Sequence, residues 1–358
     1  MKLSTLLLSS AALVVAGSAY AADLPAKKGA PAAKPATGCP AFGAGFFQIP
    51  GGDTCIQFSG HFKYSGTYTS DSTDAVTSNY SQSARFRLMT DVRSNTDIGT
   101  LRGFSRLNAA TSGVAIDRAF VQFAGLTAGR NGSLADIAGT NADTYGSNLG
   151  GGTGSGLRYD LPVGAATVSF ALENAADNNT YGTAPNTTSP VADRPDALIG
   201  FATNAGPANI KLVVASHDAQ ASNATGGSTQ GYAVVGRVGA ALGGGFGAAV
   251  FGGTSEAASK YTTAGNLRDF NGTDKSKGTN VGGEITFATG AGTFAVAADQ
   301  SKETLADKTT KVTNVGISYV YNAAKGLAIE PEYVNTQTDN GTATTNSNLF
   351  VLRIQRDF

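Results

Sequence analysis

The sequence predicts an all-β chain, a sixteen-stranded antiparallel β-barrel that spans a membrane, on three observations. Apolar and polar residues alternate with a period of two through most of the chain. No apolar run after Ala22 approaches the ~20 residues that a membrane helix needs. Glycine accounts for 47 of 358 residues, too many for helical domains. A strand with lipid on one face and water on the other has that alternation, and single glycines inside such segments suit tightly curved sheet. A closed barrel hides every strand edge while exposing an apolar outside.

The chain opens with an export signal. Lys2 precedes an apolar core from Leu6 to Ala16, and the stretch closes on Ala19-Tyr20-Ala21, a small-x-small cleavage site. Residues 1–21 are expected to be removed, because the apolar run is too short to anchor the chain in a bilayer. Residues 22–38 are Ala, Lys and Pro with little to bury, and read as a solvated periplasmic tail in preference to a specific cell-wall contact through Lys27, Lys28 and Lys34. Residues 39–358 form the barrel domain. Lys+Arg and Asp+Glu balance at 26 each, and nothing points to a nucleic-acid partner.

The two cysteines, Cys39 and Cys55, lie in an exported chain, where a disulfide is the default and two free thiols the alternative. A bridge would close a ~17-residue loop worth about 3 kcal/mol in the chain-entropy model. It is expected to tether the N-terminal segment to the first strand without lining the pore.

From Cys55 onward the alternating segments number sixteen. In the first, Ile56, Phe58, Phe62, Tyr64 and Tyr68 share a parity; in the second, Phe86, Leu88 and Val92 do, with Arg85, Arg87, Asp91 and Arg93 on the other face. Further segments fall near 101–109, 115–125, 126–132, 156–161, 167–174, 196–202, 209–217, 231–241, 246–254, 280–289, 293–301, 312–321, 327–336 and 348–358. Short connections at 162–164, 204–207, 243–245, 290–292 and 322–326 carry turn residues. Long polar ones lie at 70–78, 175–194, 218–230, 255–278, 302–308 and 338–345. Short periplasmic turns, long external loops and an even strand number put the barrel in the outer membrane of a Gram-negative cell with both termini in the periplasm. Without Trp, the interfacial girdles fall to Tyr64, Tyr68, Tyr159, Tyr319, Tyr321, Tyr333 and Phe358. On the last strand Arg356 alone breaks the apolar face, near enough to the end to snorkel to the headgroups. Phe358 is the terminal aromatic expected to serve assembly.

The stretch Ala21-Ala22-Asp23-Leu24-Pro25-Ala26-Lys27-Lys28 resembles the mature start of the alphaproteobacterial porin family. Residues 45–56, Gly-Phe-Phe-Gln-Ile-Pro-Gly-Gly-Asp-Thr-Cys-Ile, are similar to that family's most recognisable block, cysteine pair included. Residues 117–130 resemble the segment entering its pore-constricting loop, and residues 353–358 its terminal strand. Gln48 departs from the family, which often has an aromatic there, and residues 134–155 are unusually rich in Gly and Asn. The resemblance spans the mature chain. It implies a homotrimer of sixteen-stranded barrels, set in outer-membrane lipid and lipopolysaccharide, passing ions and small hydrophilic solutes passively, with the third external loop folded inward.

Selectivity in such a pore comes from charges at a narrow point, where each is worth more than in open water. Seven arginines and no lysine lie between Arg85 and Arg130. Arg85, Arg87 and Arg93 share an inward parity, as do Arg102 and Arg106, and Arg118 and Arg130 extend the set over the next two strands. The alternative is that they pair with Asp91, Asp97 and Asp117 or sit at headgroup level. The loop 133–154 carries Asp136 and Asp143, which would face this wall. Glu173, Glu284, Asp299, Glu330 and Glu332 have the polar parity of later strands but are not assigned to the constriction.

Enzymatic chemistry finds little footing. His61 and His217 are the two histidines, and His61 reads as a lumen side chain; there is no Gly-x-Ser-x-Gly or phosphate loop. No cofactor or metal is expected, loops with Asp71 and Asp74, or with Asp177, reading as solvated in preference to calcium-binding. A substrate-specific channel, for sugars for instance, would need a row of lumenal aromatics, at which Phe104 and Phe120 hint. A structural or adhesive barrel would have a plugged lumen.

Overall fold

The structure, a computed structural model, describes residues 37–72, 79–139, 149–175, 194–220, 227–263 and 269–358. The expected signal segment, residues 22–36 of the expected tail, Asp143, Asp74 and Asp177 lie outside the described residues. A two-residue strand β1 (Phe47–Gln48) comes first. The barrel wall follows as β2 (Cys55–Asp71), β3 (Tyr80–Thr96), β4 (Gly99–Ala110), β5 (Gly113–Phe123), β6 (Leu126–Gly132), β7 (Thr153–Val163), β8 (Ala166–Glu173) and β9 (Asp196–Ala205). It continues as β10 (Ala208–Gln220), β11 (Ser228–Gly243), β12 (Phe246–Glu256), β13 (Lys277–Ala288), β14 (Gly292–Leu305), β15 (Lys308–Ala324), β16 (Leu327–Asp339) and β17 (Thr344–Asp357). Each wall strand pairs antiparallel with its chain neighbours, and β17 returns to β2 from Ser347 opposite Asp71 to Asp357 opposite His61, closing sixteen strands into a barrel.

The period-two pattern sorts the faces as the sequence predicts. Val250 and Val281 are 64% and 67% exposed on the outside, while their strand neighbours Ala249, Phe251 and Asn280 are buried on the inside. Apolar side chains pointing outward would lose stability in water, at about 25 cal/mol per Å² left wet, so this surface requires a lipid surround.

Two features of the wall differ from the sequence reading. The stretch 302–308 is not a long loop: β14 and β15 run on to a two-residue hairpin in which Ala306 has φ 52°. The polar residues there keep strand parity, and Glu303 lies wholly buried, accepting a hydrogen bond from Thr263 Oγ1 at 3.1 Å. A similar shortening leaves only residues 340–343 between β16 and β17. The long connections among the rest, here L1 (72–79), L3 (133–152), L4 (174–195), L5 (221–227) and L6 (257–276), all emerge at one end, the loop end; the two-residue connection 111–112 is the second at that end.

At the opposite, turn end the seam is tightly built. Gly60 and Phe358 exchange backbone hydrogen bonds at 3.1 Å each way. The Phe358 ring stacks on Phe86 with centroids 6.2 Å apart, and a Cβ at Gly60 would fall 2.0 Å from the Arg87 carbonyl oxygen and 3.0 Å from Phe358 Cζ. Only glycine fits there. Arg356, on the outward face, donates to the Gly326 carbonyl at 3.2 Å, which satisfies its guanidinium at the rim. Where β17 stops, β1 takes over the free edge of β2, with Phe47 opposite Ile56.

Cys39 and Cys55 are joined in a disulfide, their Cα atoms 6.2 Å apart, in a small cluster with Phe42 and Phe46. Because Ile56 points out, Cys55 points in, opposite Arg93, and the Phe46 ring lies 4.8 Å from the Arg93 guanidinium. The bridge therefore ties the N-terminal segment to the start of the first wall strand, as expected, with both cysteines buried on the inward side of that strand.

Candidate functional site

Strand parity and register together place six arginines on one inner wall. Arg85, Arg87 and Arg93 share the inward face of β3 with Met89 and Asp91, and lie opposite Lys63, His61 and Cys55 of β2. On β4, Arg102 stands opposite Arg93, and Arg106 opposite Met89. A β-bulge between Arg106 and Leu107 pairs Arg106 with Arg118 and Leu107 with Ile116, so Asp117 is the extra residue. The bulge aims both Asp117 and Arg118 inward, which regular alternation forbids.

Arg130 is the exception. The turn at 124–125 has positive φ at both Ala124 (46°) and Gly125 (82°), the two-residue geometry that matches strand twist. It sets Gln122 opposite Thr127, with Gln122 Nε2 donating to Thr127 Oγ1 at 3.1 Å. Thr127, Gly129 and Asn131 consequently face the lumen, and Arg130, opposite Ala119 and Ser155, has the outward parity of Leu157 and Tyr159. Arg130 does not join the wall.

Like charges this close need counter-ions, and two acids supply them. Asp91 accepts from Arg93 Nε and from Arg102 NH2, both at 2.9 Å. Asp117 lies 2.5 Å from Arg106 Nε and 3.5 Å from Arg87 NH2, and Arg87 Nε also donates to Asn108 at 2.7 Å. Arg85 NH2 lies 3.4 Å from His61 Nε2, inward as expected. The alternative, pairing, is thus present for Asp91 and Asp117 together with the inward placement, and six guanidinium groups against these two carboxylates leave an excess of positive charge.

The inner face of β8–β12 carries an apolar patch that packs against residues of L3 and L6. Ala135, Ile137, Ala138 and Leu149 of L3 and Ala258 and Tyr261 of L6 form one buried cluster with inward residues that include Ala171, Leu198, Val213, Val235 and Phe251. Glycine at two inward positions leaves room: a Cβ at Gly200 would sit 3.0 Å from Leu134 Cδ2, and one at Gly253 3.2 Å from Leu149 Cδ1. Polar anchors fix the loop. Ser133 Oγ and the Leu134 amide each donate to Glu173 at 2.8 Å, and Arg237 Nε donates to the Ala138 carbonyl at 2.9 Å. Asp136 feels both Arg118 and Lys211; withdrawal of water by its surroundings pushes its carboxyl above the ordinary range against their pull. The sequence displays the parity of Glu173 but not its tie to a loop residue 40 positions away.

L6 carries a second polar centre. Asp196, wholly buried on β9, accepts from Lys260 Nζ at 2.6 Å and Tyr261 OH at 2.7 Å and meets His217 Nδ1 at 2.8 Å. His217 Nε2 lies 3.4 Å from Asp269, which also accepts from the Ser259 amide and hydroxyl. Burial pushes the Tyr261 hydroxyl well above its usual range, so it stays a donor. The amide of Gly150 in L3 donates to the Tyr261 carbonyl at 3.1 Å, linking the two loops.

Among the described residues no cluster of His, Cys, Asp and Glu is arranged to hold a metal. A family model described as Porin subfamily matches residues 30–353. Porin Omp2b of Brucella suis biovar 1 (strain 1330) is 31% identical over 206 residues, 50% of this chain and 56% of that protein, so the chain spans little more than half the length of the relative it matches. Among solved structures, the outer membrane channel DcaP of Acinetobacter baumannii superposes with a TM-score of 0.75 at 14% identity, over 87% of this chain and 99% of DcaP. The trimer form of OmpT of Vibrio cholerae gives 0.61 at 11% identity, over 86% and 100%. These structural likenesses bear on the barrel fold, and the family match covers nearly the whole described sequence. The chain belongs to the porin subfamily, a family of outer-membrane β-barrels.

Proposed function

We propose that this barrel is a passive, water-filled channel for ions and small hydrophilic solutes, catalysing no reaction, with L3 folded into the lumen as its constriction. The observation that carries the reading is the division of the inner wall. Arg85, Arg87, Arg102, Arg106 and Arg118 line one side, and the other is covered by L3, whose Ile137 and Leu149 join the inward cluster of β8–β12. Asp136 sits on L3 beside Arg118, so a solute passing between loop and wall crosses a transverse field. Asp143 belongs to the same loop. Arg130 is left out of the constriction. Purified protein in a planar bilayer should give ohmic steps in KCl; silence from preparations shown to be folded by heat-modifiable gel mobility argues for a structural or adhesive barrel.

The loop end faces outward from the cell in this reading and the turn end, with both termini, faces the periplasm. Phe358, stacked on Phe86, is then the aromatic that serves assembly. Lys302 and Lys311 stand directly opposite each other on the outward parity near the loop end, a like-charge pair that the anionic headgroups of lipopolysaccharide would relieve.

A homotrimer is supported by the trimer form of OmpT and by the small outward residues Gly103, Ser105, Gly236 and Ala240, which permit close approach of another copy. Unboiled gels in mild detergent should show a band near three times the monomer mass that collapses on heating. A monomer in every gentle detergent counts against it.

A further inference from the structure

Two phenylalanines lie where a porin wall has reason to be polar. Phe104 and Phe120 face each other directly across β4 and β5, with ring centroids 5.2 Å apart and planes at 26°. Both have lumenal parity. Elsewhere along the inward parity of β2–β5 the residues are polar, charged or small apart from Met89, as a water-filled lumen favours. An aromatic pair half-exposed to such a lumen forgoes the hydration that polar side chains there enjoy, so packing alone gives it little reason to be there.

Its surroundings are those of a recognition surface. The Arg102 guanidinium lies 5.1 Å from the Phe104 centroid and 5.5 Å from that of Phe120, and Asp91 holds it there at 2.9 Å. Arg106 follows Phe104 on the inward face of β4, and Arg118 precedes Phe120 on β5. Beyond Phe120 the next two inward positions at that level are Gly129 and Gly156, so neither β6 nor β7 carries a side chain directly level with the ring. Both glycines are required by the backbone, a Cβ on either falling 2.3 Å from a carbonyl oxygen of the adjoining strand. Arg118 Nε is buried without a hydrogen-bond partner, while its guanidinium lies beside the start of L3.

We propose that Phe104 and Phe120, flanked by Arg102, Arg106 and Arg118, form a subsite in the channel for small planar aromatic carboxylates. A ring in the solute lies against the phenylalanine pair on the side that the glycines leave open. Its carboxylate is then directed to Arg118, which forms no direct ion pair with Asp91 or Asp117 and feels Asp117 and Asp136 only through space. Flat rings gain from offset stacking, and the guanidinium planes add cation–π contact. Aliphatic acids of the same charge gain only the second half of the site.

The inference rests on the channel reading, and the test separates the two. The full chain is reconstituted in planar bilayers, and benzoate, cyclohexanecarboxylate and acetate are added at equal concentration. Benzoate should interrupt the current with residence times about three- to tenfold longer than cyclohexanecarboxylate, the span of an aromatic contact. In Phe104→Leu and Phe120→Leu that ratio should fall toward one, with Phe120→Tyr retaining it. Arg118→Gln should shorten benzoate residence about tenfold, the loss expected for a charge-assisted hydrogen bond. The same three acids are titrated against detergent-solubilised protein by saturation-transfer NMR, which reads binding whether or not the bilayer conducts. Conductance without a benzoate preference in either method overturns the subsite and leaves the channel standing. Benzoate preference by NMR with no conductance overturns the channel instead. Equal responses to benzoate and cyclohexanecarboxylate, or a ratio unmoved by Phe104→Leu and Phe120→Leu, reduce the phenylalanines to wall filling.

Discussion

Replacing Asp196 with Asn is expected to release L6, and L3 with it, while leaving the sixteen-stranded wall closed. One buried carboxylate holds Lys260 at 2.6 Å, the Tyr261 hydroxyl at 2.7 Å and the His217 ring at 2.8 Å, and accepts from the Asp218 amide at 3.2 Å. The amide keeps the shape but strands the Lys260 charge, and breaking a buried ion pair by removing one partner costs about 3–5 kcal/mol. Backbone hydrogen bonds between strands do not depend on Asp196, so the loss falls on the loops. L3 feels it because Gly150 donates to the Tyr261 carbonyl and because Ile137 and Leu149 share the cluster that Tyr261 fills. Single channels of the variant should flicker between conductance levels, and limited proteolysis should cut within 257–276 and 133–152 while the unboiled gel band stays in place. Tyr261→Phe removes one hydrogen bond to a charged group, worth about 1.5–3 kcal/mol, and should show a milder form of the same behaviour. A quiet, protease-resistant Asp196→Asn channel would mean that apolar packing alone holds the loops.

The second large effect is one of sign. Arg106→Glu exchanges a guanidinium for a carboxylate that faces Asp117 and the remaining arginines, and Arg87→Glu does the same on β3. Either should move the reversal potential in a salt gradient toward cations. Asp136→Lys and Asp143→Lys should move it toward anions. The Debye length is about 8 Å at physiological salt and about 3 Å at 1 M, so all four shifts should fade as salt rises. Acidification should mimic Asp136→Lys: its folded carboxyl is raised, so its negative charge is present above that value and disappears as pH falls through it, sooner than for an ordinary carboxylate. Four unchanged reversal potentials would remove these residues from the constriction.

The wall was legible because its rule is local. Arg85, Arg87, Arg102 and Arg106 take their direction from parity within a single strand, and parity is written in the neighbouring Phe86, Leu88 and Leu107. Arg130 escaped because its direction depends on how the turn at 124–125 sets register, and a two-residue turn with both φ values positive reverses what straight counting suggests. Asp117 escaped for a related reason, since a bulge breaks the count at one residue. The attachment of L3 and L6 lay further out of reach. Glu173, Asp196 and His217 have lumenal parity, yet their partners Ser133, Tyr261 and Asp269 come from loops whose sequences read only as polar.

The seam between β17 and β2 sets the order in which this barrel can be made. Every other pairing in the wall joins strands adjacent in the chain, so hairpins can accumulate at low entropic cost from either direction. Asp357 against His61 and Ser347 against Asp71 join segments separated by most of the domain, and contacts at such separation reward the chain only after a long loop has been closed. Until then two bare strand edges are exposed, which is the condition in which strands pair with the wrong partner. The segment at 38–49 shortens that exposure at one end: bound through Cys39 to Cys55, it lays β1 along β2 at Ile56 and leaves from His61 upward for β17. Early oxidation would therefore mask part of the β2 edge and mark where β17 must stop, so a slip of the closing strand toward the turn end meets a position already taken.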